Sequence, residues 1–285
     1  MRVRRKGLGA WMGFLALVMS GCATVPHQLT FADLQQRGES SGLEIRRVAG
    51  DLFTLASLMP PQPHSDVLRV YIEGDGLAWR TRRRLSAHPS PVNPTALNLM
   101  LADPTLDKAY LARPCQYLQT GSCHPRYWST HPFSEAVIAE MDRALDTLKG
   151  RGGYDRLELI GFSGGGAVAA LLSARRNDID RLVTVAGNLD TEAFCHLHGL
   201  TPLSASLNPA DLAGKLAHIP QHHFIGKGDR VIPERVYSSF ASHMTSLSAV
   251  SPVIVDHVTH QQGWAIQWPG LLEDQGLLRS REPAE

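Results

Sequence analysis

The sequence predicts an α/β fold in which a mostly parallel β-sheet carries helices on both faces. Strand-like and helix-like segments alternate from residue 67 to residue 272. The segment 157–170 passes from an apolar strand through a glycine-rich turn into a helix of small residues. With 43% hydrophobic and 19% charged residues among 285, the composition indicates a globular chain with a sizeable core. It excludes disordered, collagen-like and small disulfide-rich proteins.

The first 22 residues have the pattern of an export signal. The chain opens with four basic side chains: Arg2, Arg4, Arg5 and Lys6. An apolar run of 13 residues follows, 7–19, shorter than the roughly 20 residues of a membrane-spanning helix. Residues 18–22 resemble a bacterial lipobox, in which Cys22 becomes the lipidated first residue; the alternative is an ordinary signal peptide followed by a coincidental cysteine. We predict a lipoprotein signal peptide at 1–21 and a lipid-anchored protein of the bacterial cell envelope, on the periplasmic face of a membrane.

The charge balance argues against a nucleic-acid binder. The whole chain has 28 Lys and Arg against 27 Asp and Glu, a formal net charge of +1. Removal of residues 1–21 takes away four basic and no acidic side chains, so the mature chain has a net charge of −3. A protein that binds nucleic acid needs an excess of basic side chains to neutralise phosphates. We therefore expect no nucleic-acid partner and a membrane association through the N-terminal lipid.

Export changes what the cysteines predict, because an oxidising compartment permits disulfides. Cys115 and Cys123 close a short loop around Gly121, and we predict a bridge between them. Cys195 is expected to stay free. It begins the segment Cys-His-Leu-His, but no second closely spaced ligand group accompanies it, so no metal site is predicted.

The predicted domain organisation is a polar tether at 22–42 followed by a single α/β domain at 43–285. Two strands separated by Ala49-Gly50-Asp51 indicate a hairpin, and a third, rich in β-branched residues, runs into the loop at Gly74. The predicted strands are 43–48, 52–58, 67–72, 108–117, 156–160, 181–186, 222–225 and 252–255.

Helices are predicted where apolar residues recur at helical spacing between these strands. Pro132 can open the first, whose apolar face includes Val137 and Met141 and which ends at the glycines of 150–153. The others are predicted at 164–176, 234–247 and 264–272. Segments 77–107 and 188–220 fit the alternation poorly, and we expect lid-like insertions there that could cover an active site.

The most specific local pattern is Gly161-Phe162-Ser163-Gly164-Gly165 between a strand and a helix. This is the context of a nucleophile elbow, in which a serine sits on a sharp turn and its neighbours must be small. The alternative is a glycine-rich phosphate cradle, but no Gly-Lys-Ser/Thr accompanies the turn.

A serine nucleophile needs a base and a group that orients the base. Asp229 lies in a loop after a predicted strand, and His260 follows the last strand in the segment His-Gln-Gln-Gly-Trp. The elbow, the Gly-x-x-Asp loop, the terminal His-x-x-Gly-Trp and the order Ser163, Asp229, His260 together resemble the α/β-hydrolase family over residues 43–272.

The resemblance implies a catalytic triad of Ser163, Asp229 and His260 and no metal or organic cofactor. It also implies an oxyanion hole, because Glu73-Gly74-Asp75-Gly76 is similar to the family's His-Gly-x-Gly with Glu73 in place of histidine. The backbone N–H groups of Asp75 and Gly164 would be its donors. The alternative for the Asp75 side chain is to cap a following helix.

Other residues compete for these roles or have a second interpretation. Asp190 could be the acid and His257 the base. Tyr127 and Trp128 could line a substrate pocket or only pack. A basic cluster after the oxyanion loop is more typical of a solvated helix face than of an anionic-lipid or acidic-substrate contact; its members are Arg80, Arg82, Arg83 and Arg84.

The function that the resemblance implies is hydrolysis of a small-molecule or lipid ester, or of a thioester, through an acyl-enzyme. The same serine could instead serve a peptidase, an amidase or an acyltransferase. A lipoprotein that keeps the fold without catalysis is the alternative of another class, because fold alone does not establish function.

Overall fold

The computed structural model describes residues 27–278 and confirms a mostly parallel sheet. Those residues form ten strands: β1 Glu44–Ala49, β2 Thr54–Met59, β3 Val67–Ile72, β4 Trp79–Thr81, β5 Arg84–Leu85, β6 Lys108–Leu111, β7 Arg156–Phe162, β8 Ile179–Val185, β9 Gln221–Gly226 and β10 Val250–Val255. Eight of them form one sheet in the order β1-β2-β6-β3-β7-β8-β9-β10. β1, β2 and β6 pair antiparallel, and the remaining neighbours pair parallel. β4 and β5 form a separate hairpin.

Helices cover both faces of the sheet. They are α1 Phe31–Glu39, α2 Thr95–Ala102, α3 Glu135–Gly152, α4 Gly164–Ser173, α5 Thr191–His198, α6 Ala213–Leu216, α7 Glu234–Ser242 and α8 Trp264–Asp274. One apolar cluster joins the sheet to α3, α4, α6 and α7, and the other joins it to α1, α2 and α8. Within residues 27–278, each helix is too short or too polar to cross a membrane.

Strand β3 shows how one segment serves both clusters. Side chains alternate between the faces of a strand. Leu68, Val70 and Ile72 therefore enter the cluster under α3 and α4, whereas Tyr71 enters the cluster under α2 and α8. All six residues of β3 are buried, so its polar members Arg69 and the following Glu73 must find partners inside the protein.

The predicted tether is wrong for the part that the structure describes. Thr30 caps α1 in a capping box with Asp33, and Leu34 is buried in the core. The segment is polar because only one side of a short helix faces the sheet, so composition alone resembled a linker. The folded body therefore begins before residue 43. The predicted signal peptide and Cys22 lie outside the described residues.

The segments expected to be insertions contain regular elements. In 77–107, α2 packs against α8 and the sheet, with Ala96, Leu97 and Leu99 buried. The part outside the layers is the β4–β5 hairpin, so the basic cluster at 80–84 lies on a hairpin and the expected helix face is wrong. Segment 188–220 holds α5 and α6. Both α2 and α6 belong to the covering layers and not to a lid.

The strand predicted at 108–117 ends at residue 111. Beyond it, Cys115 and Tyr117 have φ values of 67° and 60°, which lie in the left-handed region and cannot continue a strand. The predicted disulfide between Cys115 and Cys123 is present, and Cys195 is free and buried.

Candidate active site

Ser163 occupies a sharp turn between β7 and α4. Its φ of 52° and ψ of −120° are unusual for a residue with a side chain. A Cβ on Gly161 would overlap the backbone of Gly165, and a Cβ on Gly165 would overlap the carbonyl oxygen of Ile72. The two glycines therefore let strand, turn and helix approach closely enough to place Ser163 above the sheet edge.

The structure brings Ser163, His260 and Asp229 into one hydrogen-bonded chain. His260 Nε2 lies 3.0 Å from Ser163 Oγ, and His260 Nδ1 lies 2.8 Å from Asp229 Oδ2. An ionised carboxylate only accepts, so in neutral His260 the proton sits on Nδ1 and Nε2 has a free lone pair. That lone pair faces the Ser163 hydroxyl, as a general base requires.

Asp229 is fixed by the turn that follows β9. Its Oδ1 accepts hydrogen bonds from the backbone N–H groups of Val231 and Ile232 at 2.8 and 2.9 Å. The side chain is completely buried. Because Oδ1 is already engaged, Oδ2 is left to orient the imidazole.

The His260 loop is held from two sides. Trp264 Nε1 donates to the carbonyl oxygens of Thr259 and His260 at 2.8 and 3.1 Å. The imidazole also lies against the ring of Phe162, with 5.1 Å between centroids. Trp264, from the Gly-Trp that occurs shortly after His260 in the sequence, therefore helps to hold the His260 loop in place.

The alternative acid and base lie elsewhere. Asp190 Oδ1 accepts from the N–H groups of Glu192 and Ala193 at the start of α5, and its Oδ2 accepts from Ser239 Oγ at 2.6 Å. It is a helix cap. His257 is exposed at the surface. The geometry selects Asp229 and His260 for the hydrogen-bonded chain.

The predicted oxyanion loop lies beside the elbow. β3 pairs with β7 so that Ile72 faces Gly161, which places 73–76 next to 162–164. Within residues 27–278, the N–H groups of Asp75 and Gly164 have no hydrogen-bond acceptor, as donors reserved for an oxyanion require. The Asp75 carboxylate lies where a Cβ on Gly164 would be and does not cap a helix.

Arg113 binds that carboxylate and was missed by the sequence analysis. Its Nη1 donates to Asp75 Oδ1 at 2.6 Å, Nη2 donates to the carbonyl oxygen of Pro132, and the guanidinium stacks 5.0 Å from the centroid of Phe133. Burial lowers the pKa of Arg113, and Asp75 opposes this effect. Its Nε is buried without a partner in the described part of the chain. The only sequence signal was an arginine inside the predicted strand 108–117.

Gln116 supports the loop from the same segment. Its Nε2 donates to the carbonyl oxygen of Gly74 at 2.8 Å, and its Oε1 accepts from the N–H of Arg113 at 3.0 Å. Gln116 follows Cys115 directly, so the disulfide to Cys123 closes the loop that presents it. Residues 113–116, which follow β6, thus bind the oxyanion loop at the carbonyl oxygen of Gly74 and at the carboxylate of Asp75.

Glu73 replaces the histidine of the family pattern and points into the core. It accepts hydrogen bonds from Gly74 N at 2.9 Å, from Ala96 N at 3.3 Å and from Tyr110 Oη at 3.1 Å. Burial raises the pKa of Glu73 to about 7, against the effect of these donors. Pro94 offers α2 no side-chain cap, so Glu73 supplies an acceptor to its first turn from another element.

Tyr127 and Trp128 were expected to line a substrate pocket, but the structure places them in the core. Both are buried in the α3–α4 cluster, and Tyr127 packs edge to face on Phe53, with 4.9 Å between centroids. No hydrogen bond or ring contact of the described residues links either to Ser163 or His260. These rings are large and mostly apolar, so burying them between the sheet and the helices is favourable.

The described residues contain no group of three or more His, Cys, Asp or Glu side chains placed to hold a metal ion. Around Cys195, His198 Nε2 instead donates to the carbonyl oxygen of Val231 at 2.8 Å, and its ring lies 4.8 Å from that of Phe194.

Comparison with known proteins gives structural relatives only. No family model matches the sequence, and no curated protein is significantly similar to it. An α/β serine hydrolase homologue from Coxiella burnetii superposes with a TM-score of 0.58 at 17% identity, over 81% of this chain and 96% of that one.

Two further solved structures have the same fold. An α/β serine hydrolase without a lid from Xanthomonas campestris gives a TM-score of 0.55 at 14% identity, over 84% of this chain and 97% of that one. The esterase Pf2001 from Pyrococcus furiosus gives a TM-score of 0.58 at 12% identity, over 84% of this chain and 92% of that one. At these identities the likeness concerns the fold, and the chain has the α/β-hydrolase fold.

Proposed function

We propose that the protein is a serine hydrolase that cleaves carboxylic ester or thioester bonds of a small-molecule or lipid substrate. The observation that carries the proposal is the continuous hydrogen-bonded chain from Asp229 through His260 to Ser163. Such an arrangement activates a serine whose hydroxyl is otherwise a weak nucleophile.

In the proposed reaction, Ser163 Oγ attacks the substrate carbonyl carbon while His260 Nε2 takes the hydroxyl proton. The resulting imidazolium is stabilised by Asp229 and then gives the proton to the leaving alcohol or thiol. Water attacks the acyl-enzyme by the same route. The N–H groups of Asp75 and Gly164 stabilise the tetrahedral oxyanion in both steps.

The charge of Asp75 matters for this mechanism. A carboxylate near Gly164 repels a developing oxyanion, but its ion pair with Arg113 neutralises part of that charge. The Arg113–Asp75 pair thus lowers the repulsion at the place where the backbone N–H of Asp75 donates to the oxyanion.

Labelling with a fluorophosphonate probe tests the nucleophile. We expect the wild type to be labelled and Ser163→Ala and His260→Ala not to be. Ser173→Ala is the matched control, because Ser173 is a buried serine at the other end of α4. Absence of wild-type labelling, or equal labelling of Ser163→Ala, contradicts the proposal.

A substrate panel separates ester hydrolysis from the other uses of the same serine. The similarity in fold to the esterase Pf2001 supports an ester, so we expect p-nitrophenyl esters and thioesters to be cleaved faster than matched anilides. Transfer to an added alcohol in preference to water would assign an acyltransferase. A labelled protein that turns over amides fastest would assign an amidase or peptidase.

We also propose that Cys22 carries a lipid that anchors the protein at the periplasmic face of a bacterial membrane. The lipobox-like segment at 18–22 supports this proposal. Growth with an alkyne-bearing fatty acid should label the wild type and Cys195→Ser but not Cys22→Ser. Labelling of Cys22→Ser contradicts the anchor without bearing on the activity.

A further inference from the structure

The β4–β5 hairpin is a basic and aromatic projection next to the oxyanion loop. Trp79 is 46% exposed, and four exposed arginines follow it within five residues: Arg80, Arg82, Arg83 and Arg84. In the described chain none of the four guanidinium groups makes an ion pair or donates a hydrogen bond. Arg113, on the other side of the oxyanion loop, differs because it is buried in an ion pair with Asp75. The hairpin therefore presents unneutralised positive charge to its surroundings.

The beginning of the described chain lies beside the segment that follows this hairpin. Gln28 Nε2 donates to the carbonyl oxygens of His88 and Ser90 at 2.7 and 2.8 Å. Leu29 N donates to the carbonyl oxygen of Pro91 at 2.9 Å. Only five residues separate Gln28 from Cys22, a stretch that spans at most ~20 Å when fully extended. A lipid on Cys22 would hold this side of the protein near a membrane.

The same segment also reaches the catalytic loop. Asn93 Nδ2 donates to the carbonyl oxygen of Gln261, next to His260, at 3.2 Å. At its other end, Ser86 N donates to the carbonyl oxygen of Ala78 and closes the base of the hairpin at 3.0 Å. The hairpin, the start of the described chain and the His260 loop thus belong to one side of the molecule.

We propose that Trp79 and the arginines of the β4–β5 hairpin form a docking surface for a membrane that contains anionic phospholipid. Arginine pairs with phosphate, and tryptophan is favoured at the level of lipid headgroups, with its ring in the apolar boundary and its N–H towards water. Basic side chains near an anionic leaflet are attracted over about a Debye length. The surface does not depend on the reactivity of Ser163.

The charge distribution favours a membrane over a charged polymer. Residues 22–285 have a net charge of −3, so we expect attraction to an anionic surface at the hairpin, where four exposed arginines lie within five residues. A flat anionic surface is touched at one point, whereas a nucleic acid follows a basic stripe. An exposed tryptophan amid arginines adds an apolar contact that a phosphate backbone alone does not use.

Vesicle co-sedimentation tests the proposal. The chain from residue 22 with Cys22→Ser, which lacks the acyl group, is mixed with vesicles of phosphatidylethanolamine alone or with an equal part of phosphatidylglycerol. We expect binding only to the anionic vesicles, weakened by added salt. Arg82→Gln/Arg83→Gln should bind about 30-fold more weakly, the change that two basic side chains at such a surface give.

A matched variant controls for charge. Arg151→Gln/Lys215→Gln removes the same charge from two exposed positions. They lie in α3 and α6, whose chains continue to the amino-terminal ends of β7 and β9, at the opposite edge of the sheet. It should bind like the parent, as should Ser163→Ala.

Trp79→Phe should lose the blue shift of tryptophan emission on binding, because Trp79 is the exposed tryptophan of the described residues. Thermal unfolding shows whether each variant is folded.

Three outcomes overturn the proposal. The first is failure of the folded parent to bind anionic vesicles. The second is equal weakening by the hairpin variant and by the control variant. The third is tight binding of heparin or DNA together with absent vesicle binding, which would assign the hairpin to a soluble polyanion.

Discussion

Two buried charges on the same face of β3 have different surroundings. Arg69 lies near the beginning of the strand, and Glu73 follows its end, four residues later. α2 runs between them, with its first turn at Glu73 and its C-cap residue Asp103 at Arg69. The helix therefore presents its positive end to the acid and a carboxylate to the base.

Two buried carboxylates compensate the positive charge of Arg69. Its Nη1 donates to Asp103 Oδ2 at 2.8 Å, its Nε donates to Glu158 Oε2 at 2.9 Å, and its Nη2 donates to the carbonyl oxygen of Leu277 at 2.6 Å. Burial opposes the charged form, but Asp103 and Glu158 outweigh it and hold the pKa of Arg69 above its usual value.

At the Glu73 end, neutral donors compensate the buried acid. Backbone N–H groups and a tyrosine hydroxyl bind it, and burial still raises its pKa to about 7. Nearby, Arg113 Nε has no hydrogen-bond partner among residues 27–278. Carboxylates thus compensate Arg69, whereas the buried groups beside Ser163 are compensated less completely, because local rules give way to the geometry of the site.

The largest effect should follow from removing Arg69, the buried cation near the beginning of β3. Arg69→Met removes the guanidinium that binds both Asp103 and Glu158 in the core, so the free energy of unfolding should fall by about 3 to 5 kcal/mol. Urea unfolding measures it. Arg175→Gln, which breaks the surface pair with Glu135, should change it by less than about 1 kcal/mol. Equal losses in the two variants contradict the comparison.

Removal of Arg113, the buried cation beside the oxyanion loop, should reduce activity. Arg113→Met leaves the Asp75 carboxylate uncompensated beside the oxyanion site, so kcat should fall about 100-fold, near the effect of losing one oxyanion donor. KM should change little. The added substitution Asp75→Asn should restore part of kcat, because it removes the repelling charge. Steady-state kinetics on an activated ester would contradict this if the second substitution deepened the loss.

The pKa of Glu73 predicts a pH dependence. Because about 7 in the folded state exceeds the ordinary 4.5, the folded state holds the proton more tightly. The stabilising contribution is full below pH 4.5 and is lost as the pH rises to about 7. Relative to wild type, Glu73→Gln should therefore gain about 2 to 3 kcal/mol of unfolding free energy between pH 4.5 and pH 8. A difference independent of pH contradicts a raised pKa.

The smallest effect concerns the loop that supports the oxyanion site. Cys115→Ser/Cys123→Ser should lower the unfolding free energy by about 2 kcal/mol, because the short loop is no longer closed in the unfolded chain. kcat should also fall, since Gln116 and Arg113 lie in that segment. Cys195→Ser is the matched control and should leave kcat unchanged. A loss of stability with unchanged kcat would limit the disulfide to a structural role.

Local patterns were sufficient for much of the fold. Alternation of strands and helices predicted the parallel part of the sheet, because each segment is long enough to show its period. The hairpin β1–β2 and helices α3, α4 and α8 follow from turn residues and apolar spacing. α1 did not, because one buried leucine in a polar helix leaves little periodic signal.

The sequence by itself determined the order and context of Ser163, Asp229 and His260, since glycines and strand ends mark such loops locally. Only the tertiary structure decided which aspartate and which histidine meet, and that Arg113 joins Asp75 across 38 residues. It also placed Tyr127 in the core and Glu73 at the start of α2. These contacts depend on packing between elements distant in the chain, and burial and charge compensation arise only after those elements have assembled.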